Sequence, residues 1–381
     1  MKSWNIRLLA LLLAFLMIVP MLVACNDAVD PPENEEEEPE DDGGETKVEK
    51  EIDVYIIAGQ SNAAGSTNIL DANEIYADFP ELKSGTIPYI WYAGNSAGNS
   101  PNNSVTYGWG RVSLGLGASS SKMGPEVGMA KALSQYYNEE TGKVAGIIKY
   151  AHGGTGLVRT EVNTEAKDDG TRDGNWEPPS YREHNPDDPT QAYRGYLYRG
   201  FVEEVGMYLY KLTKMGYTKI NIKGLYWMQG CNDTWRYTTG AETDKKSPDW
   251  YRDAFACLVK DWRKDLSDIM TELQGTNGGA DKMPFFIGTI SRSYRLDTGV
   301  AATEARNLPF IEMQKQLAEE NEYCYIIDNS VYDVMVWDET QNKAVVVPGG
   351  TDSAHWGQAD CYQIGQNVGN KMLEVCTDYQ A

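Results

Sequence analysis

The sequence predicts an α/β fold, a doubly wound, mainly parallel five-stranded sheet flanked by helices as a three-layer sandwich. Two observations predict it. From residue 51 onward, short apolar runs rich in β-branched and aromatic residues recur, and longer segments with helical periodicity separate them. Strands that alternate with helices need crossover connections, and crossovers give a parallel sheet covered on both faces.

The elements follow in order. Strand runs lie at 53–58, 87–92, 144–150, 219–228, 284–290 and 323–328. Tyr193, Leu197, Phe201, Val205, Tyr208 and Leu212 repeat every three or four residues, as do Tyr251, Phe255, Leu258, Trp262, Leu266 and Ile269, so each set forms one apolar stripe of an amphipathic helix. Further helices are expected at 125–138, 303–320 and 358–375. Two stretches break the rhythm, 95–122 and 160–190, both rich in Gly, Asn, Ser, Asp or Pro. Loops of that length in one domain tend to carry function. No internal repeat is present.

The N-terminus reads as an export signal, not as a fold element. Lys2 and Arg7 precede the apolar run Leu8 to Val23, which ends in Leu22-Val23-Ala24-Cys25. A cysteine directly after a small residue at that point resembles the lipobox of bacterial lipoproteins, which implies a signal peptide over 1–24, lipidation of Cys25, and an exported protein anchored to the outer face of a membrane. An ordinary signal cut after Ala24, or an uncleaved anchor, is the competing reading. Residues 26–50 hold 12 acidic side chains against Lys47 and Lys50, a net charge of −10, with Pro31, Pro32, Pro39, Gly43 and Gly44 among them. Such a stretch cannot bury a core and self-repels, so 25–50 is expected to be an extended tether, and 51–381 the folded domain.

Once the +2 of the leader and the −10 of the tether are set aside, −14 of the total −22 falls on residues 51–381. A body this acidic repels phosphate backbones, which argues against nucleic acid and favours a neutral partner such as a sugar ester. The five cysteines beyond Cys25 are Cys231, Cys257, Cys324, Cys361 and Cys376, with no metal-ligand spacing among Cys, His or Asp. No metal and no cofactor are expected. Outside the cytoplasm some thiols can pair, Cys361 with Cys376 first among the candidates, and sequence alone leaves the pairing and the oligomeric state open. Cys231 reads as a small buried residue, since no histidine lies close to it in sequence.

Four segments hold the parts for acyl transfer. Strand 53–58 runs into Gly59-Gln60-Ser61-Asn62, placing a serine on a tight turn at the carboxyl end of a strand, where open α/β sheets gather their chemistry. A polar helix cap is the bland alternative. Strand 144–150 runs into Ala151-His152-Gly153-Gly154, and strand 219–228 into Gln229-Gly230-Cys231-Asn232-Asp233. Finally, Asp352-Ser353-Ala354-His355 offers a carboxylate and an imidazole before the last helix. A serine hydroxyl needs a base to take its proton, the base needs a carboxylate to fix its tautomer, and the developing oxyanion needs uncharged donors such as glycine amides or an Asn side chain.

These four blocks resemble those of the SGNH hydrolases, in the branch of carbohydrate acetylesterases similar to sialate O-acetylesterase and acetylxylan esterases. Gly59-Gln60-Ser61-Asn62 resembles the first block, Gly153-Gly154 the glycine block, Gly230-Cys231-Asn232-Asp233 the Gly-x-Asn-Asp block, and Asp352-x-x-His355 the last. The likeness spans about residues 53 to 373 and implies an SGNH/flavodoxin-like sandwich. It also implies Ser61 as nucleophile, His355 as base, Asp352 as the acid that orients it, and an oxyanion hole formed by the amides of Ser61 and Gly154 and the side chain of Asn232. Some relatives carry Glu where this chain has Cys231 and use it as the triad acid, so that role falls here on Asp352.

Gln60, Gln229, Trp235 and Trp356 are the residues expected to touch substrate, the two tryptophans because sugar rings stack on such faces. His152 is the rival base, read instead as a steric or donor group near the site, while His184 has no assigned role. Asp233 reads as a helix cap. The function expected is removal of O-acetyl groups from an acetylated glycan, of xylan or sialic acid type, by a serine esterase. A surface glycan-binding lipoprotein that kept the fold without turnover is the alternative, and a peptidase or thioesterase with the same triad ranks third. Which glycan, which ester position and which acyl length are not legible in the sequence.

Overall fold

In the computed structural model of the protein, the described residues are 49–85, 87–94, 108–157, 176–181, 195–234 and 248–379. The expected leader, Cys25 and tether lie outside them, as do His184 and Trp235. All of the described residues belong to one unit, Val48–Ala381.

Strand β1 (Glu51–Gly59) is the centre of the molecule. Val54, Tyr55, Ile56, Ile57 and Ala58 are all fully buried whichever way they point, as a strand covered on both faces requires. The chain continues through the single-turn helix α1 (Ser61–Ala64), β2 (Thr67–Asn68), α2 (Ala72–Asp78), α3 (Pro80–Ser84), β3 (Ile90–Gly94), β4 (Gly110–Arg111), β5 (Lys122–Met123), α4 (Glu126–Leu133) and β6 (Ala145–Ala151). Then come α5 (Tyr196–Lys214), β7 (Lys219–Met228), α6 (Pro248–Gln274), β8 (Phe285–Gly288), α7 (Val300–Glu320), β9 (Cys324–Ile327), β10 (Met335–Asp338), β11 (Lys343–Val346) and α8 (Gln358–Cys376).

The main sheet has seven strands in the order β4-β3-β6-β1-β7-β8-β9, not five. Six are mutually parallel, and the two-residue β4 is antiparallel to β3 at one edge. The doubly wound architecture stands. Six of the seven answer to the strand runs read from the sequence, and the seventh, the two-residue β4, is too short to show as a run and depends on β3 to be a strand at all.

Register is what matters for the site. Gly59 lies opposite Ala151 of β6 and Met228 of β7, so the three central strands end level with one another. The residues that follow, Gln60-Ser61, His152-Gly153-Gly154 and Gln229 to Asn232, therefore emerge side by side on either side of the point where the strand order reverses.

Helix α4 packs on α8 at very close range. A Cβ on Gly128 would stand 2.0 Å from the Tyr362 carbonyl oxygen, and one on Gly365 would stand 2.2 Å from that of Pro125. Cys361 and Cys376 sit on this same helix α8, and both thiols are free. Fifteen residues of helix separate them by about 22 Å, whereas a disulfide needs Cα atoms within about 7 Å. The expected pairing is therefore wrong.

Candidate active site

The serine turn is built by its neighbours. Gly59 ends β1 at φ +134°, and a Cβ there would lie 2.2 Å from the Met228 carbonyl oxygen, so only glycine lets β1 and β7 close up at this point. Gln60 is extended, and its carbonyl accepts the N–H groups of Ala63 and Ala64 at 2.9 and 2.8 Å, which winds the chain into α1 with Ser61 as its first residue. As a first helical residue Ser61 keeps its own N–H unspent; no backbone bond from it occurs among the described residues.

Gly153 faces this turn, its Cβ direction ending 3.5 Å from Ser61 Cβ. The adjacent Gly154, at φ +70°, likewise makes no backbone bond through its N–H among the described residues. On the other flank, Gln60 Oε1 accepts the backbone N–H groups of Gly230 at 3.1 Å and Asn232 at 3.3 Å. That anchors Asn232 next to the serine turn, and its side-chain Nδ2 is buried with no hydrogen-bond partner among the described residues. A buried amide donor without an acceptor is costly, so its presence here points to an acceptor that arrives with a ligand.

His355 and Asp352 face each other across one turn of loop. The imidazole Nδ1 lies 2.9 Å from Asp352 Oδ1 and 2.8 Å from Oδ2. A carboxylate there holds the proton on Nδ1 and leaves Nε2 as the acceptor. The same carboxylate accepts the N–H groups of Ala354 at 2.8 Å and His355 at 3.0 Å. Partial burial pushes the Asp352 carboxyl up, but the His355 side chain and these two amides outweigh it, and the net effect holds it below the ordinary carboxylate range.

This loop is tied to the serine turn at several points. Asn62 Nδ2 donates to the Ala354 carbonyl at 3.2 Å, Thr67 Oγ1 to that of Trp356 at 3.0 Å, and Gln358 Oε1 accepts from Leu70 and Asp71 at 2.7 and 3.0 Å. From the other side, the Arg295 N–H donates to the Ser353 carbonyl at 2.9 Å. Arg295 adopts φ +59°, a left-handed conformation unusual outside glycine, to do so.

Several expected ligand contacts are support instead. Gln60 and Gln229 are buried, and they bind each other through Gln229 Nε2 and Gln60 Oε1 at 3.3 Å. Gln229 Nε2 also donates to the Thr155 carbonyl at 2.9 Å and to Asp233 Oδ2 at 2.5 Å. Trp356 is buried too, its indole N–H donating to the Tyr332 carbonyl at 3.1 Å. Side chains so enclosed hold the site's shape and present no face to a substrate. Both oxygens of Asp233 receive the Leu157 N–H at 3.1 Å and so fasten the third block to the second.

His152 is partly buried beside Tyr150, ring centroids 5.0 Å apart, and burial lowers its pKa below 6.5. The next residue, Gly153, faces the serine. The Cys231 thiol is buried and pushed up to about 12, so it is protonated and inert at neutral pH. Among the described residues no group of three or more His, Cys, Asp or Glu side chains is placed to hold a metal ion.

A doubly wound, mainly parallel sheet flanked by helices is the fold of the SGNH-like hydrolases. More specifically, residues 51–275 match the family described as carbohydrate esterase, sialic acid-specific acetylesterase, and the chain belongs to that family. Among solved structures, NanS is similar at 14% identity and a TM-score of 0.51, covering 86% of this chain and 98% of its own, which supports the shared fold. A carbohydrate acetylesterase from Xanthomonas citri matches at 14% identity and a TM-score of 0.45 over 85% of this chain, which spans only 56% of that longer protein. A carbohydrate acetylesterase family member from Sinorhizobium meliloti matches at 11% identity and a TM-score of 0.37, over 86% of this chain and 99% of its own. No curated protein sequence matches significantly.

Proposed function

We propose that the protein is a serine esterase that removes O-acetyl groups from carbohydrate through an acyl-enzyme on Ser61. The observation that carries this reading is the Asp352–His355 pair, held at 2.8 Å on a loop whose Ala354 is bonded to the residue after Ser61. In this mechanism Ser61 Oγ attacks the acetyl carbonyl while His355 Nε2 takes its proton, and Asp352 holds the imidazolium through Nδ1–H. The negative charge on the carbonyl oxygen falls to the unspent N–H groups of Ser61 and Gly154 and to Asn232 Nδ2. On collapse the bond to the sugar oxygen breaks, and that oxygen takes the proton from His355 and leaves as a hydroxyl. Water, deprotonated by the same imidazole, then attacks the acetyl-serine and releases acetate.

The substrate class follows from the family and from charge. Donors without net charge suit a neutral acetyl ester, and the acidic body disfavours polyanions. The same reading places the protein outside the cell membrane as a lipoprotein: Cys25 would be lipidated after removal of residues 1–24, and the acidic stretch 26–50 would hold the catalytic unit clear of an anionic surface.

A panel of acetylated xylan, O-acetylated sialic acid and aryl acetates tests the substrate class by acetate release. Turnover of at least one acetylated carbohydrate, with no hydrolysis of matched amides or longer acyl thioesters, is expected. Preference for amides or thioesters would refute the assignment.

A further inference from the structure

Lys149 is an ammonium in the interior of β6, a strand whose seven residues are all buried. Its side chain is 2% exposed and faces Glu126, which is 0% exposed, with Nζ and Oε2 3.1 Å apart. That contact is a charge pairing without directed hydrogen-bond geometry; the directed bonds of Nζ go to two backbone carbonyls, Leu116 at 2.6 Å and Ala64 at 3.1 Å. Ala64 is the last residue of α1, the helix that Ser61 begins. Glu126 Oε1 in turn accepts the Gly124 N–H at 3.0 Å.

The chain around this pair is cut to fit it. Gly65, directly after α1, sits at φ +91° with its Cβ direction 2.7 Å from the Gly124 nitrogen and 2.8 Å from Gly117 Cα. A Cβ on Gly124 would stand 2.5 Å from Glu126 Oε2. Side chains at these places would push α1 off the backbone it rests on.

Buried ion pairs give little net stability compared with apolar replacements, and in some systems their role is to fix one geometry. Here the fixed object is a helix of a single turn, too short to be rigid by its own hydrogen bonds. A cation at its carbonyl end also complements its dipole. Lys149 moreover belongs to the strand that delivers Gly153 and Gly154, so one ammonium ties the serine turn to the glycine turn. We propose that Lys149, neutralised by Glu126, is the positioning residue that sets Ser61 against the Gly153–Gly154 turn. This inference rests on Ser61 being the nucleophile.

The test is the double variant Lys149→Met/Glu126→Gln, which removes both charges together and keeps an acceptor for Gly124. Active sites are counted with a serine-directed phosphonate, so that every rate is expressed per folded site. The expected result is a folded protein whose kcat and phosphonylation rate constant both fall by about 10-fold to 100-fold, with KM little changed. A lower melting temperature with an unchanged per-site kcat would assign the pair to stability alone and overturn the proposal. Should the double variant not fold, Lys149→Arg keeps the charge and moves the donors, and an unchanged per-site kcat there overturns it equally. Ser61→Ala separates the two claims: if it stays active the nucleophile is misassigned, and if it is inactive while the Lys149 variants are unaffected, only the positioning role fails.

Discussion

Asn62, the residue after the serine, donates its side-chain amide to the carbonyl of Ala354, the residue before the histidine, at 3.2 Å. One hydrogen bond thus closes a gap of 292 positions and joins the serine turn to the loop that carries Asp352 and His355. Asn62→Ala should leave the fold in place at a cost of about 1 kcal/mol. The per-site kcat should drop by about 10-fold or more as the His355 loop loosens, with KM nearly unchanged. Steady-state kinetics beside thermal melts check this, and a variant with normal kcat would show that the remaining ties from Thr67, Gln358 and Arg295 hold the loop.

Asn232 gives the sharpest test of the proposed oxyanion hole. Its Nδ2 has no partner among the described residues, so Asn232→Ala deletes a donor without breaking a protein contact of that amide. Loss of such a donor costs about 2.7–4 kcal/mol in the transition state, or ~100-fold to 1,000-fold in kcat. Stability should hold or rise slightly. A kcat within a few-fold of wild type would remove Asn232 from the hole.

Cys231 stands two residues after Gln229 in the third block, and its thiol, pushed up to about 12 by burial, is no nucleophile. Cys231→Ala is expected to retain activity and to form the phosphonate adduct in full stoichiometry. Alkylation of the native protein should spare this position, as peptide mapping would report. Loss of turnover in a folded Cys231→Ala protein would contradict the serine mechanism directly.

His152 sets a pH dependence of known sign. Burial lowers its folded pKa below the 6.5 of an unperturbed imidazole, so the unfolded chain binds that proton first. Its contribution to stability is therefore complete above 6.5 and is lost as the pH falls through the lower folded value. A titration of its ring signals by NMR should give a midpoint under 6.5, with denaturation midpoints falling on acidification. A midpoint raised above that value would place a carboxylate against the ring.

Much of this was legible in the residues because local chemistry and long-range placement agreed. The run from Val54 to Ala58 is apolar on both faces, as a central strand must be, and Asp352 reaches His355 within a single turn. What eluded the sequence is orientation. Gln60, Gln229 and Trp356 lie in or near the right motifs but point inward, and only register shows that Gln60 is spent on Gly230 and Asn232. Lys149 looks like an ordinary charged residue within an apolar strand until Glu126, brought in by α4, appears beside it. The Cys361 and Cys376 pairing failed for a related reason: two residues near in sequence are held far apart once a helix runs straight between them.

The central claim is that the hydroxyl of Ser61 carries the acyl group. Wild type and Ser61→Ala are to be compared for acetate release from an acetylated carbohydrate and for the mass and position of a serine-directed phosphonate adduct. The account predicts one adduct per wild-type chain, mapped to Ser61, and a folded Ser61→Ala protein with no adduct and with kcat reduced by about 1,000-fold or more. Turnover that survives in Ser61→Ala, or an adduct at another residue, would contradict it.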